Sequence, residues 1–262
     1  MADYVLLRKG RNKLSSFLHI VLNIALAVAT TASIIISGSY VFGLALVLLS
    51  KWRVIAVRPR YWWANIKSNL VDLIVGINIA ILIFLAGTDG VNVWHVLLTA
   101  IYAVWLVILK PRSEPAMTEV QAIFAIFFGT FATALWPAQS NPIFCIINCF
   151  IIGYGASRHV LMQGDDHDYN LTTFICGLMI AELGWVFFHW AIVYQLGPDT
   201  TLALPQLPIV ASILFFFFAR GYKSASRHDG KIRAKDSLAP AIFSVSVIAV
   251  MLLFFSVASF DI

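Results

Sequence analysis

The sequence predicts an all-α protein, a polytopic transmembrane helical bundle of about nine spans. It forms one integral membrane domain over residues 1–262, with no soluble domain. Three observations predict this. Apolar residues make up 60 % of the chain and charged residues 12 %, with a mean hydropathy of +0.86. Soluble domains carry about a quarter charged residues, so a water-soluble globule of this size could not cover itself. The apolar runs are continuous, not alternating, which suits helices and excludes a membrane barrel. At about 20 residues per span plus a loop, roughly eight to ten spans fit the length. Lastly, the cations fall only in every second connection.

The elements follow in order. Residues 1–16 carry Arg8, Lys9, Arg11 and Lys13 ahead of an apolar run over 17–36. This pattern also suits a signal peptide. Hydrophobicity continues past the small residues at 27–32, so an uncleaved first span is expected; cleavage would leave eight. Ser37, Gly38, Ser39 and Tyr40 break the run. Span two then descends towards Val57, and its purely apolar part, 41–49, is short. A single helix over 17–49 is the alternative, also giving eight spans. It would put two basic segments on opposite sides, against the positive-inside rule.

Span three is expected over 70–86 and is turned by Gly87, Thr88, Asp89 and Gly90. Span four covers 93–109 and stops at Lys110, Pro111 and Arg112, proline being a helix stop. Spans five and six cover 117–136 and 143–162. Span seven covers 171–196, followed by a proline-rich segment over 197–208. Span eight ends at Arg220, a basic loop fills 220–236, and span nine covers 238–260.

With nine spans, all 18 lysines and arginines fall on one side. The other side holds Asp89, Asp199 and Asp261. The expectation is a multi-pass protein of the cell membrane, N-terminus cytoplasmic and C-terminus outside. Residues 51–72 dominate the basic side. Lys51, Arg53, Arg58, Arg60 and Lys67 alternate there with Trp52, Trp62 and Trp63. Cations meet anionic headgroups and indoles sit at the water–hydrocarbon boundary, so these eight residues are assigned to the lipid interface. Lys51 and Arg53 are expected to snorkel, or else the helix to bend into the interface. A pI near 9.2 therefore points to membrane lipids and not to nucleic acid.

The most pointed residue is Glu182, about midway along the expected 26-residue seventh span. A carboxylate there is costly, so it should be protonated, paired or facing a wet cavity. Trp185 and His189 follow on the same helical face, His189 about 10 Å along the axis. These three form a candidate proton or substrate site. Gly177, Ala181 and Gly184 lie on another face, where small residues admit a neighbouring helix. Asp72 reads first as a helix-start acid paired with a basic neighbour and second as a headgroup contact. Asp165, Asp166, His167 and Asp168 are a weak candidate for a hard cation, because contiguous loop residues diverge. His19, Asn23, His95, Asn148 and His159 are single polar residues, Asn148 expected to bond between helices. Cys145, Cys149 and Cys176 read as packing residues.

The chain has no Walker A loop, no H-E-x-x-H and no G-x-S-x-G. No cofactor and no metal are expected, and an enzyme is the lesser expectation. Two functions follow: a small secondary transporter or lipid-translocating protein using Glu182, or a non-catalytic subunit or scaffold. The partners expected are anionic lipid and other membrane subunits or further copies of the chain.

Overall fold

The computed structural model describes residues 2–136, 141–162, 169–195, 202–228 and 230–254. Eleven α-helices account for most of them. α1 spans Ala2–Ser37 and α2 spans Tyr40–Ser50. They form a hairpin, so the break expected after residue 36 is present. Gly38 takes φ +62, a left-handed turn that favours glycine, and the Ser39 hydroxyl caps α2 by accepting from the Val41 N–H at 3.3 Å. Gly43 lets the two arms close, since a Cβ there would stand 2.5 Å from Ile34.

A short arm follows: α3 (Trp52–Ile55), a 3-10 turn (Pro59–Tyr61) and α4 (Trp62–Ser68). The chain then bends by 70° into α5, Leu70–Leu85. α6 (Val93–Val104) ends in a π-helical turn over Trp105–Leu109. α7 (Pro115–Leu135), α8 (Pro142–Leu161) and α9 (Tyr169–His189) come next. β1 (Val193–Gln195) pairs antiparallel with β2 (Ala203–Pro205), and α10 (Gln206–Arg227) and α11 (Ala234–Phe254) complete the order.

α5 and α7 make the centre. Val75, Ile79, Leu82 and Ile83 of α5 and Ala122, Ala125 and Ile126 of α7 are wholly enclosed. α7 packs against α5, α8 and α10, and α8 packs against α9. α11 lies at the edge, with 11 % of its apolar stretch buried.

This is a helical membrane protein, but the span count needs correction. Among the described residues six helices are long and apolar enough to cross a membrane, or seven if the arm and α5 form one bent span. About nine were expected. The shortfall is in α2, of 11 residues, α5, of 16, and α6, which is still short with its π turn included, each below the about 20 residues that a straight span needs. The seventh span also ends early. The last helical bond of α9 runs from the Trp190 N–H to the Val186 carbonyl. Val193 and Tyr194, aromatic and β-branched, pair across β2 instead of continuing the helix. α10 opens just after Pro205 and runs past Arg220 to Arg227. The acidic loop Asp165, Asp166, His167 and Asp168 lies outside the described residues.

Candidate functional site

Polar side chains concentrate where helix ends meet. Asp72, in the first turn of α5, is buried at 8 % exposure. Its Oδ2 accepts from Lys51 Nζ and from Lys110 Nζ, the latter at 2.9 Å; its Oδ1 accepts from Trp105 Nε1 at 3.1 Å. Lys51 is buried too, at 7 %, while Lys110 is half-exposed. The snorkelling expected of Lys51 is therefore corrected: its ammonium turns inward to a carboxylate instead of outward to headgroups. Lys51 stands in the turn between α2 and α3; burial pushes its pKa down to about 8, and the Asp72 carboxylate opposes that shift.

The π turn explains how α6 supplies two of the donors. The Lys110 N–H bonds to the Trp105 carbonyl, five residues back, at 2.8 Å. Residues five apart diverge around an α-helix, but a π turn brings them to the same side. Trp105 and Lys110 thus reach one carboxyl group. Gln121 of α7 closes the end of this turn, its Nε2 donating to the Leu109 carbonyl and to the Arg112 carbonyl, the latter at 2.8 Å. Gln121 Oε1 in turn accepts from His159 Nε2 of α8 at 2.7 Å.

Glu119 is the residue that sequence reasoning missed. It is 5 % exposed in α7 and pairs with Arg220 Nε of α10 at 2.9 Å. The Arg220 guanidinium also lies over the Phe216 ring, 5.2 Å from its centroid. Thr118, Glu119 and Gln121 together, in the first two turns of an apolar helix, were the available signal. These contacts join α2, α5, α6, α7, α8 and α10, so their basic ends share one end of the bundle.

At the far end His95 is buried. Its Nδ1 accepts from the Asn92 N–H at 3.1 Å, which leaves Nε2 protonated to donate to the Gly87 carbonyl at 2.9 Å. Asn148 is also corrected. It is half-buried and bonds back to Phe144 of its own helix, whereas Asn23 reaches across to the Leu106 carbonyl.

α9 presents two unlike faces. Gly177 rests against Phe150 and Gly184 against Cys149 of α8, with Ala181 buried between them. α8 answers with Gly153 under Ile180. On the other face Glu182, Trp185 and His189 are exposed. His189 Nδ1 donates to the Trp185 carbonyl at 2.9 Å, its ring beside the Trp185 indole, and makes no contact with Glu182. Glu182 lies at a groove between α9 and α10, a cavity of about 240 Å³ walled by Cys176, Met179, Leu183, Leu214 and Phe218. No described side chain bonds to its carboxyl group. Because α9 ends at His189, Glu182 sits about 10 Å from the helix end and not midway along a longer span.

Asp72 and Glu182, both expected as site residues, are thus held apart: one is sealed at the basic end, the other opens outward. Comparison with protein families, with curated proteins and with solved structures finds no match for this chain. Among the described residues no three histidine, cysteine or acidic side chains gather to hold a metal. The three cysteines are free and buried.

The arm between α2 and α5 is the remaining polar feature. Trp52, Tyr61, Trp62 and Trp63 are exposed, Trp63 at 67 %. The Arg60 guanidinium lies 4.6 Å from the Tyr61 ring centroid, and Lys67 Nζ lies 5.0 Å from that of Trp63. Trp62 Nε1 donates to the Val57 carbonyl at 2.9 Å and folds the arm onto itself.

Proposed function

We propose that this chain is a non-catalytic membrane subunit that assembles with a partner transmembrane helix laid along the outward face of α9. One observation carries the reading. Glu182 is an exposed carboxyl group in an otherwise apolar groove, within the hydrocarbon depth of a helix, and no described side chain answers it. An unanswered acid near a helix centre costs about 2.5–3.5 kcal/mol in lipid. A partner helix bringing a hydrogen-bond donor to that depth removes most of this cost. The opposite face of α9 is already closed against α8, so assembly uses the free side. The acids and bases of the interior support the same reading, because they are spent on one another.

The test is gentle detergent extraction followed by native mass measurement. The wild-type chain is expected in a complex. Glu182→Leu should release it, and Glu182→Gln, which keeps a hydrogen-bonding group, should retain it. A wild-type chain that runs alone as a monomer would overturn the proposal. A phospholipid bound in place of a protein would favour the lipid-translocating reading, for which the apolar groove walls are suited. Proton-coupled transport makes a different demand: Glu182→Gln would have to abolish pH-driven uptake in vesicles.

A further inference from the structure

The arm from Trp52 to Ser68 has no task inside the bundle, and its chemistry is one-sided. Between residues 52 and 69 the chain holds Arg53, Arg58, Arg60 and Lys67 and not one acid. The two buried acids at that end of the bundle are taken, Asp72 by Lys51 and Lys110 and Glu119 by Arg220. Arg60 and Lys67 rest on aromatic rings and form no ion pair with any described residue. Trp52, Tyr61 and Trp63 are exposed beside them. A water-soluble surface would not expose so many large aromatic groups together.

The arm's geometry fits the membrane surface. It turns away from α5 by 70°, so when α5 crosses the bilayer the arm runs nearly in its plane. Both ends are fixed. Lys51, just before it, is fastened to Asp72, and the Asn69 carbonyl, just after it, accepts from the Leu73 N–H of α5 at 2.9 Å. Exposed indoles on a fixed in-plane arm enter the headgroup boundary, where the cations meet phosphate.

We infer that this arm is a binding surface for anionic phospholipid, with Arg58, Arg60 and Lys67 contacting the phosphates and the tryptophans seating it in the interface. The site is separate from α9 and does not depend on what covers Glu182. The basic loop after α10 is the competing location. It has bases but no tryptophan, and Asp236 beside it is held by Ser224 and faces His228.

The test uses the full-length protein in mixed micelles of phosphatidylcholine and phosphatidylglycerol, with native mass measurement of the lipids retained. Phosphatidylglycerol should be retained in preference, and more weakly as salt rises. The variant Arg58→Gln/Arg60→Gln/Lys67→Gln should lose about fivefold in that preference per base removed. Arg58→Lys/Arg60→Lys/Lys67→Arg, which keeps the charge, should retain it and controls for folding. Lys231→Gln/Arg233→Gln should leave it in place. Equal retention of the two lipids by the wild type would overturn the inference. So would a loss in the loop variant with the arm variant unchanged.

Discussion

Asp72 accepts from two ammonium groups and an indole inside the bundle, whereas Glu182 accepts from no described side chain and points away from it. Both are single acids in apolar helices. The first is held by residues 21, 33 and 38 positions away in sequence, so its surroundings are complete without anything further. The second stands where no described side chain offers a donor. The contrast teaches that an acid in a membrane helix marks a need, and that the fold decides whether the need is met within the chain or left to something outside it.

The comparison can be broken first at its buried half. Asp72→Ala should leave the Lys51 ammonium enclosed without a counter-charge, a loss of about 3–5 kcal/mol. Thermal unfolding in detergent measures it, and Lys51→Met in the same chain should recover a large part. Substituting the half-exposed Lys110 by methionine should cost far less, since solvent screens that pair. If the two lysine variants proved equally damaging, the division between buried and exposed partners would be wrong.

The closed face of α9 gives an intermediate effect. A Cβ at Gly153 would stand 2.8 Å from the Ile180 Cβ and 3.1 Å from the backbone carbonyl of Cys176. Neither can swing aside as a flexible side chain would. Gly153→Ala should therefore destabilise by about 1–3 kcal/mol through overpacking. The smallest effect on stability belongs to Glu182. Glu182→Leu should leave the unfolding temperature of the isolated chain unchanged or slightly raised while abolishing assembly. A large loss of stability would show that Glu182 has a partner within the chain after all.

Much of the helical framework was legible because it follows from hydrophobicity and a few punctuating residues. Ser37, Gly38 and Ser39 announced the first hairpin, and Pro115 and Pro142 opened α7 and α8. The end of α9 was not legible: Val193 and Tyr194 are as apolar as the helix before them, and only pairing with β2 sets them apart. The further partners of Asp72 were hidden for another reason. Lys110 and Trp105 meet on one carboxyl group only through a π turn, which leaves no mark in the hydrophobic pattern. Glu119 was missed because its partner, Arg220, is about a hundred residues away. Exposure of Glu182 could not be read from spacing, because apolar residues are spread around α9 and single out no outward face.

The shortness of α2 has a mechanical consequence. Its 11 residues rise about 16 Å, while the 21 residues of α7 rise about 31 Å. Tyr40, at the start of α2, stacks edge-on against Trp136 at the end of α7, so the two helices begin level at that end. The lysine-fastened end of α2 therefore stops well short of the other end of α7. Lipid bordering this flank meets a hydrophobic belt about half the height of the belt opposite. A bilayer thinned beside α2 would match this lower belt and bring headgroups and water towards the arm.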